Sequence, residues 1–174
     1  MTLTLDPRSP HNRPGRHRMN RPRTLHLLDV ENLVAGRVST QSVSTMWSQF
    51  VAAIDPRWDD LSTVAVARRH AATTFFAPPT EVRRVIGSNG PDGADLALIE
   101  SIDVDWASRN FGRVVIASGD HIFAPLARQL TTQGLQVLQV TGIGYCSAAL
   151  YRACTAHTTL RHQRRPATAM QCAS

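Results

Sequence analysis

Three aspartates in this sequence lie where an apolar run or a short glycine loop is expected to pass into a helix. Asp29 ends the segment TLHLLD, Asp95 follows the loop GPDG, and Asp120 lies in SGDHIF. Carboxylates that are crowded together repel one another, so they either take up protons or bind a cation. Their oxygens suit Mg²⁺ or Mn²⁺, which pair with phosphates and activate water for attack on a phosphodiester. The three residues therefore predict metal-dependent phosphodiester chemistry.

The elements that must position these aspartates alternate between strand-like and helix-like segments. Apolar or β-branched runs predict the strands, and apolar residues at helical spacing predict the helices. The predicted strands are 24–30, 61–67, 81–87, 113–119 and 135–142. The predicted helices are 42–54, 94–110, 122–134 and 145–157, with one helical turn within 69–80. This alternation predicts a three-layer α/β fold in which helices flank a central parallel sheet of about five strands.

Helix 94–110 is expected to turn Leu98, Ile99, Ile102 and Trp106 towards the core. In parallel sheets, ligands bind beyond the carboxyl ends of the strands, where the strand order switches. We therefore expect the strands that end near Asp29 and Asp120 to be adjacent. Each aspartate alone also fits a helix N-cap, because its side chain accepts hydrogen bonds from free backbone N–H groups. The convergence of three at one edge favours a metal site.

These segments resemble the NYN branch of the PIN-like nucleases. LLDVENLV, GADLAL and VVIASGDHIFAPLARQLTTQGLQVLQV follow in the family's order, and the resemblance covers about Thr24 to Tyr145. It implies a PIN-like fold, dependence on Mg²⁺ or Mn²⁺, and endonuclease cleavage of RNA. By position, it assigns the metal and catalytic roles to Asp29, Asp95 and Asp120. It also implies that Asn32 orients a metal-bound water or the substrate, with helix capping as the alternative role.

One position departs from the family pattern. Many relatives carry a further aspartate two residues after the SGD aspartate, and here that position is Ile122. The remaining acids suffice for one metal ion. The nearby acids are interpreted as solvated surface residues, and Asp92 is the best candidate among them for an additional ligand; they are Glu31, Asp92, Glu100 and Asp103. The departure favours an alternative, a catalytically weak RNA-binding or regulatory domain. The toxin of a toxin–antitoxin pair is a third alternative.

Two further groups of residues are interpreted as surface residues. The pairs Arg68–Arg69 and Arg83–Arg84 fall at the ends of two predicted strands, and they are more typical of surface charge than of a phosphate clamp. His121 lies beside the SGD aspartate, where it would be placed to move a proton, but an exposed loop histidine needs no role.

Charge divides the chain into a body and two basic tails. All 19 basic residues are arginine. Residues 1–23 hold six of them and one acid, 24–150 hold nine and twelve acids, and 151–174 hold four and no acid. We expect disordered basic tails over 1–23 and 159–174 around a PIN-like NYN domain over 24–158. Arginine-rich tails attract phosphate backbones without reading sequence, which makes RNA the expected partner.

Composition and cysteine spacing bear on the compartment and on the partners of the protein. Hydrophobic residues make up 43% of the chain, and the apolar runs are too short to cross a membrane. The three cysteines show no disulfide or zinc spacing, so we expect a cytoplasmic protein without a membrane partner. A homodimer and an antitoxin-like protein are the candidate protein partners. Met19 offers an alternative start directly ahead of the first predicted strand.

Deletion of residues 1–18 should weaken RNA binding, mostly at low salt, because the basic tail releases counterions from the phosphate backbone. The melting temperature should stay unchanged. The RNA affinities of the full chain and the deletion variant, measured against salt concentration, check this prediction. Equal affinities of the two proteins at every salt concentration contradict it.

Overall fold

Six parallel strands form one sheet in the computed structural model, which describes residues 22–75 and 77–160. The strands are β1 (Thr24–Asp29), β2 (Leu61–Ala67), β3 (Arg83–Gly87), β4 (Arg113–Ala117), β5 (Gln136–Thr141) and β6 (Ala156–Thr159). Their order across the sheet is β3-β2-β1-β4-β5-β6. The chain therefore builds outwards from β1 in one direction and, from β4, in the other. The predicted adjacency of the strands at Asp29 and Asp120 is confirmed, since β1 pairs with β4.

Helices cover both faces of the sheet. They are α1 (Val30–Leu33), α2 (Thr40–Ile54), α3 (Ala71–Phe75), α4 (Gly93–Glu100), α5 (Val104–Asn110), α6 (Ala124–Thr132) and α7 (Ala148–Ala153). Two 3-10 turns, Arg68–His70 and His121–Phe123, precede α3 and α6. No helix among the described residues is both long and apolar enough to span a membrane. The three-layer α/β fold is as expected, with six strands rather than about five.

Alternation along the strands divides the core into two parts. Leu25 and Leu27 of β1 pack on the side of α4, α5, α6 and α7, together with Leu98, Ala107, Phe123, Leu130 and Leu150. Leu28 packs on the other side, against Leu33 of α1 and Val43, Met46, Phe50 and Ile54 of α2. Because side chains alternate along a strand, Asp29 continues the row of Leu25 and Leu27. Its carboxylate is thereby directed to the side of α4.

The prediction of a single helix over 94–110 is wrong, because the helix is interrupted between Glu100 and Val104. Asp103 caps the second helix, its side chain accepting a hydrogen bond from the backbone N–H of Trp106 at 2.9 Å. A new helix start resets the helical phase. Ala107 is therefore buried, whereas Trp106, which was expected on the inner face, is 38% exposed.

The end of the domain also differs from the prediction. The helix expected over 145–157 is confined to α7, and the chain then forms β6, which pairs in parallel with β5. Thr155 begins this pairing, as its N–H donates to the carbonyl of Val137 at 2.8 Å. Leu160 is buried, so the domain extends beyond the predicted boundary at 158. The strand escaped prediction because it is a polar and largely exposed edge strand with no apolar alternation.

A buried contact between a histidine and an aspartate fixes the amino edge of the sheet. His26 Nε2 lies 3.3 Å from Asp60 Oδ2, and the two side chains are 0% and 1% exposed. The Asp60 carboxylate also accepts the backbone N–H groups of Thr24 at 2.8 Å and Arg57 at 2.9 Å. Burial alone raises the pKa of Asp60, but these hydrogen bonds outweigh it and hold the pKa well below its usual range. The ionised carboxylate thus ties the loop before β2 to β1.

Asp60→Asn should lower the free energy of unfolding by about 2 kcal/mol near neutral pH, because charged acceptors make the stronger hydrogen bonds. Since the folded pKa is depressed, the stabilisation is present above about pH 4 and is lost as the pH falls towards the folded pKa. The difference between wild type and variant should therefore shrink in acid. Urea denaturation at neutral and acidic pH checks this.

Asp59→Asn is the matched control, because Asp59 pairs with Arg57 at the surface one residue away. A smaller loss is expected there, since exposed ion pairs contribute little. Equal losses for the two variants would contradict the anchoring role of Asp60.

Candidate metal centre at the carboxyl edge of the sheet

Three carboxylates converge at the carboxyl edge of the sheet. Oxygens from Asp92, Asp95 and Asp120 all lie within 4.8 Å of one another. They line a cavity of about 480 Å³, whose walls also include Asp29, Glu31, Asn32, Arg69 and Tyr145. The cavity lies where the strand order reverses between β1 and β4, the place at which open α/β sheets bind ligands.

Asp29 forms the buried base of this cluster. It is 3% exposed, and its Oδ1 caps α1 by accepting the backbone N–H of Asn32 at 3.1 Å. Its Oδ2 accepts the hydroxyl of Ser118 at 2.8 Å. The capping role weighed as an alternative is therefore real. It coexists with contact to the cluster, because Asp29 and Asp95 are hydrogen-bonded through their carboxyl groups.

Ser118 links the ends of β1 and β4. Its side chain is fully buried, and its hydroxyl oxygen accepts the backbone N–H of Asp120 at 3.0 Å while the hydroxyl donates to Asp29. Gln139 of β5 holds Ser118 in turn, donating through Nε2 to its carbonyl at 3.1 Å. Sequence reasoning missed both residues. One signal was present in the sequence, because Gln139 is a polar residue within the apolar run LQVLQV, which predicts a strand.

Asp120 is held by the turn that follows β4. Its Oδ1 accepts the backbone N–H of Ile122 at 3.1 Å and lies 2.8 Å from Nδ1 of His121. The side chain remains 28% exposed, so it faces the cavity, and that of His121 is 77% exposed. Ile122 packs partly buried against the core on the α4 side. An aspartate at 122 would therefore place a charge against apolar side chains, and we expect Ile122→Asp to destabilise the fold.

The loop 88–92 and the first turn of α4 supply Asp92 and Asp95. A Cβ on Gly87 would lie 2.0 Å from the carbonyl oxygen of Gly93, so only glycine lets this loop fold back onto the end of β3. Asp92 then takes a left-handed conformation with φ 53° ahead of α4, and its side chain makes no capping hydrogen bond. Asp95 lies in the first turn of α4, where a negative charge is favoured by the helix dipole.

The electrostatics of the cluster disfavour full ionisation in the absence of a cation. Burial, the charge of Asp29 and the hydrogen bond to Asp29 raise the pKa of Asp95 to about 8, with smaller contributions from Asp120 and Asp92. Burial also raises the pKa of Asp29, against the hydrogen bonds that it accepts. The pair formed by Asp29 and Asp95 therefore retains a proton near neutral pH. A cation that displaced this proton would relieve the repulsion.

Asn32 has a positioning role in this arrangement. Its Oδ1 accepts the backbone N–H of Gly119 at 2.8 Å, and its Nδ2 donates to the carbonyl of Tyr145 at 3.5 Å. The side chain thus bridges the end of β4 and the loop after β5. Two glycines permit this close packing, because a Cβ on Gly119 or Gly144 would lie within 2.0 Å of a backbone carbonyl oxygen.

The arginine pairs have different surroundings. Arg69 lines the cavity and contacts Glu31, with 3.2 Å between Nη2 and Oε2. Its positive charge therefore lies at the wall of the cavity that the acids line. Arg84 donates to the carbonyls of Val82 at 2.7 Å and Pro78 at 2.9 Å, which ties down the segment before β3.

The structure thus brings together the four residues to which the sequence assigned metal or catalytic roles. Asp29, Asn32, Asp95 and Asp120 all line the same cavity. The grouping differs in one respect, since Asp92 joins Asp95 and Asp120 as the third surface carboxylate while Asp29 lies beneath them.

Comparisons with known proteins bear on the fold. No protein-family model matches the chain, and no curated protein matches it significantly in sequence. The structure is similar to the crystal structure of a protein of unknown function from Vibrio parahaemolyticus, with a TM-score of 0.52 and 16% sequence identity. The similarity covers 82% of this chain and 95% of that chain. At this level of identity, the likeness shows a shared fold alone.

Asp95→Asn should make the metal-free protein more stable at alkaline pH. The folded pKa of Asp95 is about 8 and the unfolded value is about 3.9, so its neutral form contributes stability below about pH 4. This contribution is lost as the pH rises through about 8, and asparagine has no proton to lose. Urea denaturation with a chelator, across this pH range, should show the variant gaining over wild type as the pH rises.

Glu100→Gln removes the same charge from an exposed position on the same helix, outside the cavity. It should follow the wild-type pH dependence. Parallel curves for wild type and Asp95→Asn would contradict the raised pKa.

Proposed function

We propose that this chain is a metal-dependent endoribonuclease of the PIN-like NYN kind, which hydrolyses RNA phosphodiester bonds with Mg²⁺ or Mn²⁺. The observation that carries the proposal is the convergence of Asp92, Asp95 and Asp120 within 4.8 Å, above the buried Asp29. Their position at the switch between β1 and β4 adds support, because an open cavity there admits a ligand.

The donor set fits a hard divalent cation. Asp92, Asp95 and Asp120 supply carboxylate oxygens, and Asp29 holds Asp95 in place from beneath. Such a cation supplies charge neutralisation for a phosphodiester and lowers the pKa of coordinated water. Asp95 must release its proton for the cation to bind, so affinity for the metal should rise with pH.

The surrounding residues have distinct tasks in this proposal. Ser118 and Asn32 set the distance between the ends of β1 and β4, and thereby the spacing of the carboxylates. His121 contacts Asp120 and reaches into solvent, so it is placed to exchange a proton with a departing oxygen.

The strand order also occurs in dinucleotide-binding domains, but the junction after β1 argues against that function. Dinucleotide sites need glycines at this turn so that the pyrophosphate approaches a helix N-terminus. Here Asp29 is followed by the four-residue α1, and the first glycine after β1 is Gly36. A carboxylate in this place repels phosphate unless a cation lies between them.

A catalytically weak RNA-binding or regulatory domain is the second candidate. The observation that favours it is Ile122, which packs against the core where relatives of the resembled family carry an acid. Under either function, RNA is the proposed partner. The cytoplasm is the proposed compartment, consistent with the free thiols of Cys146 and Cys154.

Cleavage of RNA with Mn²⁺ tests the enzyme proposal. Wild type should cleave only when the metal is present, and Asp120→Asn should lose about a hundredfold or more in rate because a metal ligand is removed. Mn²⁺ should also raise the melting temperature of wild type through binding to the folded state. Asp120→Asn should melt higher than wild type without metal, as one repelling charge is gone, and should lose the Mn²⁺ response.

Glu100→Gln again serves as the matched control and should retain both cleavage and the Mn²⁺ response. A wild type that binds RNA without cleaving it, and without a shift in melting temperature on addition of Mn²⁺, would leave the second candidate in place of the enzyme.

A further inference from the structure

An exposed aromatic residue stands at the rim of the acidic cavity. Tyr145 lines the cavity and is 73% exposed, and its neighbour Ile143, also in the lining, is 47% exposed. An aromatic ring has flat faces on which a planar ligand group can stack. The ring of Tyr145 therefore offers an unoccupied stacking surface beside the carboxylates.

The backbone beneath this ring is held rigidly to the metal centre. The Tyr145 carbonyl accepts Nδ2 of Asn32, and it packs so closely on Gly119 that a Cβ there would lie 1.5 Å from its oxygen. Ser147 completes the attachment, since its N–H donates to the carbonyl of Gly119 at 2.7 Å. Tyr145 is thus fixed relative to Asp120, the residue that follows Gly119.

Arg69 occupies the opposite wall of the cavity. Its Nη2 contacts Glu31 at 3.2 Å, its Nη1 donates to the carbonyl of Asn89 at 3.1 Å, and its Nε donates to His70 at 3.1 Å. A guanidinium carries five N–H groups, so two remain without a partner among the described residues. The side chain is 50% exposed, and those groups are available to a phosphate.

The topology orders these features across the sheet edge. Arg69 follows β2, the acids follow β1, β3 and β4, and Tyr145 follows β5. In the sheet order, β1 and β4 lie between β2 and β5, so the arginine and the tyrosine flank Asp29 and Asp120, while Asp92 and Asp95 reach the cavity from the side of β3. Three strand spacings separate β2 from β5, which is about 14 Å at the usual distance between strands.

We propose that this edge binds one unpaired RNA strand, with a phosphate on Arg69 and a base stacked on Tyr145, so that an intervening phosphodiester crosses the acidic cluster. The inference rests on the proposed ribonuclease function and adds two residues, Arg69 and Tyr145, that would hold the substrate on either side of the carboxylates. An unpaired strand is required because stacking on Tyr145 needs a free base face, and bases in a duplex are stacked on each other. Arginine recognises phosphate through paired N–H groups, which suits the opposite wall.

The chain offers matched controls for both contacts. Trp58 is 97% exposed and precedes β2, at the amino edge of the sheet, away from the cavity. Arg83 is exposed and begins β3 at that same edge. Trp58→Ala and Arg83→Gln therefore remove an exposed ring and a positive charge without touching the cavity.

Binding of a short fluorescein-labelled oligoadenylate, measured by fluorescence anisotropy with Ca²⁺, tests the inference separately from cleavage. Gel analysis shows that the probe stays intact. Tyr145→Ala should weaken binding roughly tenfold, Tyr145→Phe should retain it because the ring is kept, and Trp58→Ala should stay within about twofold of wild type. The same strand annealed to oligouridylate should bind wild type more weakly and respond little to Tyr145→Ala.

Arg69→Gln should lower the slope of log affinity against log salt by about 0.7, the value for one phosphate contact on a single strand, whereas Arg69→Lys and Arg83→Gln should preserve the slope. Thermal melts verify that each variant folds. Weak binding by Tyr145→Ala in a protein that never cleaves RNA with Mn²⁺ would support the strand site and defeat the ribonuclease. Equal binding by Tyr145→Ala, Trp58→Ala and wild type, or equal binding of single strand and duplex, would overturn the strand site even in an active nuclease.

Discussion

A carboxylate that is almost wholly buried must find its hydrogen-bond donors inside the protein, and the rest of this site depends on how Asp29 finds them. One oxygen accepts the N–H of Asn32 and thereby begins α1, and the other accepts the hydroxyl of Ser118 at the end of β4. Because Ser118 also receives the N–H of Asp120, the position of the second acid follows from the first. The hydrogen bond between the carboxyl groups of Asp29 and Asp95 then connects α4 to the same network.

The two edges of the sheet handle charge in opposite ways. At the amino edge, Asp60 has donors from His26 and two backbone N–H groups, and these hydrogen bonds stabilise its ionised form against the cost of burial. At the carboxyl edge, the acids face one another, and burial raises the pKa of Asp95 and Asp29. The repulsion among these acids lowers the stability of the fold at the carboxyl edge, a trade-off that is common at functional sites. The close glycine contacts keep that edge rigid despite the repulsion.

A doubly wound sheet by itself specifies no chemistry. The same order of strands serves many ligands, and the structural likeness to the Vibrio parahaemolyticus protein adds a fold without a function. In this chain, the choice is made by a few side chains at the switch point. Acids stand after β1 where dinucleotide sites have glycines, and under the proposed function this edge takes a cation rather than a bare phosphate. Arg69 and Tyr145 line the same cavity as these acids, with groups that suit a phosphate and a base.

Apolar periodicity determined the strands β1 to β5, the alternation with helices, and the edge at which Asp29, Asp95 and Asp120 meet, because buried strands and amphipathic helices leave a local pattern. It missed β6, whose polar residues lie at an exposed edge, and the break before α5, where the Asp103 cap outweighs helical spacing. Only the tertiary structure decided that Asp92 joins the carboxylates, that Ser118 and Asn32 position them, and that Arg69 and Tyr145 share their cavity. These relations join residues far apart in the sequence, and strand order, which no local pattern encodes, sets the distances between them.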